Sequence, residues 1–183
     1  MNRLLVGLVL VFGLFAPTRV WTAEGQTESF SLQQLRMEKR FGFGVSAAGP
    51  LSLLGLEIDI NLSEEWSIGG GLGTGLDYNT MMVKARYFML GKSVSPYVGA
   101  GIARWWSKGT SEASLSPSLL SEKMIDPGTD LRNGFDVFMV YPCLGVQFMH
   151  PMGMAVFAEL QYFFKLFNLA NGAYAGLGMH WYF

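Results

Sequence analysis

From Arg40 onward the chain alternates short apolar runs with turn residues. Eight such runs can be marked: 40–49, 51–62, 66–77, 81–91, 96–106, 134–149, 153–167 and 172–183. The breaks between them carry turn chemistry: Gly49-Pro50, Ser63-Glu64-Glu65, Asp77-Tyr78-Asn79, Gly91-Lys92-Ser93, His150-Pro151-Met152-Gly153 and the stretch from Asn168 to Gly172. Ser107–Asn133 is the exception, a polar connection of 27 residues. A strand places successive side chains on opposite faces, so alternation reveals which face is apolar. In 51–62, Leu54, Leu56, Ile58, Ile60 and Leu62 oppose Glu57, Asp59 and Asn61. In 66–77, Ile68, Leu72 and Leu76 oppose Ser67, Gly69, Gly71, Gly73 and Gly75. In 81–91, Val83, Ala85, Tyr87 and Met89 oppose Lys84 and Arg86. In 153–167, an apolar row from Met154 to Leu166 opposes Glu159, Gln161 and Lys165. The run 134–149 reads as slipping phase at Pro142, where a missing N–H predicts a bulge or bend.

The polar face of these strands is mostly glycine with a few charges, while the apolar face is nearly unbroken. A soluble sandwich or barrel turns its apolar face inward and covers the outside with Lys, Glu, Thr and Ser. These strands lack that cover, so the inverse arrangement is expected, with the apolar side toward lipid. Run lengths of mostly 10–13 residues match the ~9–11 that a tilted strand needs to cross a bilayer. A sheet in hydrocarbon must close, since an open edge strands unsatisfied backbone groups. The predicted fold is therefore all-β: a transmembrane, eight-stranded, antiparallel up-and-down β-barrel over 40–183, with 107–133 as one long exterior loop. The competing membrane reading is a helix over Val137–Ala158, which carries no formal charge. Pro142, Gly145, Pro151 and Gly153 interrupt it, and no second comparable span accompanies it.

Ahead of the barrel, Met1-Asn2-Arg3 precedes a 13-residue apolar run, Leu4–Ala16. That is the form of a secretory signal peptide, expected to cover 1–23. Residues 24–39 are polar and read as a periplasmic N-terminal segment or a short helix capping the barrel. Composition agrees with this division. Half of the residues are apolar and 15% are charged, against roughly 25% charged in average soluble chains. A net charge of -1 gives no basic footprint for nucleic acid. The single cysteine, Cys143, excludes a disulfide framework within the chain.

The chain ends Gly176-Leu-Gly-Met-His-Trp-Tyr-Phe183. Gly178, Trp181 and Phe183 match the polar-x-Gly-x-x-aromatic-x-aromatic ending of bacterial outer-membrane barrels, and Gly176 departs from it at the polar position. Pro96-Tyr97-Val98-Gly99-Ala100-Gly101 also resembles a strand start common in such barrels. Residues 40–183 thus resemble the small eight-stranded class that includes OmpW-like and OmpX-like proteins. The resemblance implies Gram-negative outer-membrane residence, outer-membrane lipid as surroundings, and recognition of the C-terminal strand by the barrel-assembly machinery. Parity then puts both barrel termini in the periplasm, with the turns near 63–66, 91–95 and 150–153 on that side.

Eight strands enclose little more than side chains, and charges there must pair. The expected lumen cluster is Glu57 and Asp59 with Lys84 and Arg86, extended by Asp136, Glu159 and Lys165, with Gly71 and Gly73 lying between the acids and the bases. Trp105 and Trp106 are expected in an outer aromatic girdle. His150 falls in a turn and His180 on the lumen side, neither beside a serine, so no catalytic site is expected, and no metal or cofactor site either. The expected role is structural or surface-interacting. A porin-like narrow channel for small apolar molecules is the alternative, and a lipid-processing barrel enzyme the second. The loop 107–133 is a candidate partner-binding tip, with its ligand unspecified.

Overall fold

A computed structural model describes residues 32–75, 78–89, 91, 93–107, 109, 133–167 and 170–183. The expected signal peptide and nearly all of the 107–133 loop lie outside these residues. Helix α1 spans Leu32–Glu38, and eight strands follow: β1 Phe41–Ala48, β2 Leu54–Asn61, β3 Trp66–Thr74, β4 Asn79–Phe88, β5 Val94–Ser107, β6 Phe135–Met149, β7 Met154–Lys165 and β8 Asn171–Tyr182. Each expected run holds one strand. They form a closed barrel in sequence order, every pair antiparallel. Closure is made by β1 against β8, from Gly42↔Tyr182 to Ala48↔Gly176. The barrel end where β1 starts and β8 finishes is called proximal below, and the opposite end distal.

Period-2 burial runs through the strands as the alternation predicts, with the apolar face outward. Ile58, Leu72 and Leu144 are 57%, 64% and 55% exposed, while Glu57, Asp59, Lys84 and Arg86 are buried. On β5 and β6 the outward apolar rows run from Val94 and Phe148 to Ile102 and Val140. At the usual rise and tilt this is roughly 20 Å, of the order of the ~25 Å apolar band of a membrane barrel. Among the described residues no helix is long and apolar enough to cross a membrane. The uncharged Val137–Ala158 segment is instead the β6–β7 hairpin.

Pro142 causes no phase slip, contrary to expectation. β6 keeps its odd-numbered residues inward from Val137 to Met149. The register with β7 is the same on both sides of the proline, Val140↔Phe164 and Cys143↔Gln161, and only the intervening pairings are missing. Pro142 points outward and still pairs with Ala100 on β5. A proline missing its ladder bond needs no bulge when the neighbouring bonds hold the register.

Candidate functional site: the lumen

The lumen is filled by three successive sets of side chains. The middle set is ionic. Lys84 Nζ lies 3.3 Å from Glu57 Oε2 and 3.2 Å from Glu159 Oε1. Arg86 Nη2 lies 2.6 Å from Asp59 Oδ1, and Arg86 Nε donates to Ser67 Oγ at 3.2 Å. Neutral donors complete the carboxylates. Tyr182 donates to Asp59 at 2.6 Å, Tyr97 to Glu159 at 2.8 Å, and the Gln161 amide to Glu159. His180 Nε2 lies 3.2 Å from Glu57 Oε2, with its ring stacked on Phe157. In this network Lys84, Arg86, Glu57, Asp59 and Glu159 each lie within ion-pair distance of an opposite charge, as burial of charge demands.

Strand register explains how the long cations fit. Lys84 stands between Gly69 on β3 and Gly101 on β5, and Arg86 between Ser67 and Gly99. With no bulky flank on either neighbour, both side chains can extend across the barrel. The glycines between acids and bases fall two residues from the expected Gly71 and Gly73. Gly69 separates Asp59 from Lys84, Gly71 separates Glu57 from Met82, and Gly73 lies between Gly55 and Thr80.

Two other expected members sit elsewhere. Asp136 is a correction: it faces outward and receives Arg104 Nε at 2.9 Å and Nη2 at 2.6 Å, an exposed pair flanked by Trp106 and Phe138. Its even number puts it outside once β6 holds one phase throughout. Lys165 is inward and buried, six residues beyond Glu159 on β7, roughly 20 Å toward the distal end. At the C-terminus, Gly178 faces inward against Phe157, while Trp181 and Phe183 are exposed on the proximal rim.

The distal set is aromatic. Trp105, Tyr141 and Phe163 are fully buried and in ring contact, with Tyr78 and Tyr174 at their edges. Trp105 is therefore no girdle residue. Gly99, Gly101, Ala103 and Trp105 share one face of β5, and that row of small residues was the sequence signal for an inward tryptophan.

Above this set the β1–β2 connection folds into the barrel as a single helical turn, Gly49–Leu51. Leu51 is completely buried and would meet a side chain at Gly55, Gly71 or Gly73, so these glycines form its socket. Trp105 Nε1 donates to the Pro50 carbonyl at 2.7 Å, and the Ser52 and Tyr78 hydroxyls are 2.6 Å apart. Ala48 and Ser52 take φ of 64° and 63° to make the inward fold, a region that L-residues rarely enter. Trp105→Phe keeps a six-membered aromatic ring but loses the pyrrole ring and its N–H, which orphans the Pro50 carbonyl and leaves buried space. It is expected to cost about 1–2 kcal/mol and to lower the thermal midpoint by roughly 2–8 °C; an unchanged midpoint would show that the bond does not hold the turn.

The proximal set is carried by α1. Leu32 and Leu35 are buried with Met149, Ala155 and Tyr182. The Arg36 guanidinium lies 3.2 Å over the Phe88 ring and donates to Gln147 Oε1 at 2.9 Å. None of these positions was singled out in the sequence, although the i, i+3, i+4 spacing of Leu32, Leu35 and Arg36 puts them on one helical face.

No family model matches this chain, and no curated protein does. Among solved structures, the N-terminal β-barrel domain of Pseudomonas aeruginosa OprF matches with a TM-score of 0.55 at 18% identity, covering 79% of this chain and 99% of that one. The chain has the fold of a small outer-membrane β-barrel. Yersinia pestis Ail in a phospholipid nanodisc matches more loosely, with a TM-score of 0.43 at 13% identity over 79% of this chain and 99% of Ail. In this barrel Glu57, Asp59, Lys84, Arg86 and Glu159 are engaged with one another in the lumen. The His150 ring accepts the Met152 N–H at 3.2 Å within its turn, and His180 is wedged between Glu57 and Phe157. Among the described residues no group of three His, Cys, Asp or Glu is arranged to hold a metal.

Proposed function

We propose that the protein is an integral outer-membrane β-barrel with a closed lumen, acting in a structural or surface-interaction role without catalysis. The observation that carries this reading is the filling of the lumen along its length. Arg36 and the two leucines of α1 occupy the proximal mouth, the Lys84 and Arg86 network the middle, and Trp105, Tyr141, Phe163 and Leu51 the distal half. Eight strands leave room for side chains and little else. The outward apolar band supports residence in lipid, with Trp66, Tyr87, Trp181 and Phe183 near its proximal edge.

In this reading α1 and both barrel termini face the periplasm, and the 107–133 loop is offered to the exterior as the partner-binding element. Trp181 and Phe183 stand free on the outer wall, where the barrel-assembly machinery would read them together with Gly178. The test is conductance. The full-length protein, purified from outer membranes and reconstituted in planar bilayers, is expected to give no unitary current steps above the protein-free baseline. Reproducible steps would overturn the closed lumen in favour of a channel.

A further inference from the structure

The proximal mouth holds an arginine in a manner that reads as a receptor. In its proximal half, among the described residues, the lumen buries three carboxylates, Glu57, Asp59 and Glu159, but only two cations from the strands, Lys84 and Arg86. Lys84 serves both glutamates and Arg86 serves Asp59. The third positive charge comes from outside the barrel wall, as Arg36 of α1. It is 2% exposed, with its guanidinium carbon 3.2 Å from the centre of the Phe88 ring. Its Nη2 bonds Gln147, Gln147 donates to Tyr182 at 3.3 Å, and Tyr182 donates to Asp59. Arg86 approaches the same Phe88 ring at 5.2 Å and repels Arg36, but Asp59 screens it. His180 lies against Tyr182 and Glu57, and Lys39 and Arg40 follow the helix.

An aromatic face and an amide acceptor, with the Asp59 carboxylate behind Tyr182, make up a site for a planar, weakly hydrated cation. A guanidinium stacks and hydrogen-bonds there in a way that an ammonium cannot. Helices in water draw most of their stability from tertiary packing, and the described part of α1 is seated by three buried side chains, Leu32, Leu35 and Arg36. We infer that the proximal mouth is a guanidinium-binding site, filled in cis by Arg36, and that occupation of this site by a guanidinium is what seats α1 on the barrel. The site does not depend on whether the barrel conducts.

The experiment is chemical rescue of the full-length protein in detergent micelles. Arg36→Ala is expected to lower the thermal midpoint by roughly 5–10 °C. Millimolar ethylguanidinium is expected to restore more than half of that loss, saturably, while leaving the unsubstituted protein unmoved. Ethylammonium and sodium chloride at equal ionic strength are expected to restore less than a quarter, and adding Phe88→Leu should abolish the guanidinium preference. No rescue, or equal rescue by all three salts, overturns the site. If Arg36→Ala fails to refold, Arg36→Lys is titrated in its place: it keeps the charge without the planar fork, and stabilization by ethylguanidinium alone is again the required result.

Discussion

Lys84→Met is expected to destabilize the barrel by about 3–5 kcal/mol, the scale for removing one partner of a buried ion pair. Lys84 is fully buried and lies between two carboxylates, Glu57 and Glu159. Met fills much of the same volume, so the loss comes from charge rather than from a cavity. Two carboxylates would then lie buried without a cation between them, with Tyr97, Gln161 and His180 as hydrogen-bonding neighbours. The readout is the temperature at which the compact, fast-migrating gel band of the folded barrel gives way to the unfolded one. A Lys84→Met/Glu159→Gln double variant should recover part of the loss, because it removes one orphaned charge; a midpoint that stays put in the single variant would remove the network from the account of stability. Arg86→Met is expected to lower the midpoint less, since Asp59 keeps its 2.6 Å bond from Tyr182.

Gly44→Val should abolish folding. Gly44 sits on the closing seam opposite His180, and a Cβ there would run into the Met179 carbonyl oxygen and the His180 ring and Cα. Side chains can rotate away, but the Met179 carbonyl belongs to the partner strand, so relief requires β1 and β8 to part. A barrel open at one seam exposes unpaired N–H and C=O groups to hydrocarbon, each costing several kcal/mol. The expected result is no heat-modifiable band after expression or refolding. Gly70→Val is the matched control. A Cβ at Gly70 meets only the Met82 carbonyl at 3.6 Å, an ordinary contact, and that variant is expected to fold. Normal folding of Gly44→Val would show that the seam can rearrange.

The strand pattern was legible because lipid and lumen impose opposite demands on neighbouring residues. Glu57 beside Ile58 and Lys84 beside Val83 state the facing of β2 and β4 without any knowledge of the partner strands. Asp136 is expected inside, yet β6 is held from both sides, keeps one phase past Pro142 and turns its even-numbered residues outward. Tryptophan favours membrane edges, which puts Trp105 in a girdle, whereas Gly99, Gly101 and Ala103 before it mark an inward face. Gly49-Pro50 read as an ordinary hairpin turn, and nothing local says that Leu51 enters the barrel. That insertion needs the space left by Gly55, Gly71 and Gly73 on two other stretches of chain.

What the sequence determined by itself, then, is the facing of each strand, the number of strands and the breaks between them, all of which depend on residues next to one another. Only the closed structure decided that Lys84 reaches Glu159, that Tyr182 caps Asp59 and that Arg36 seats on Phe88. These partners lie 75, 123 and 52 positions apart in the chain. Their meeting depends on register and closure, which bring opposite walls within a side chain's length, and a local period carries no information about distances across a lumen.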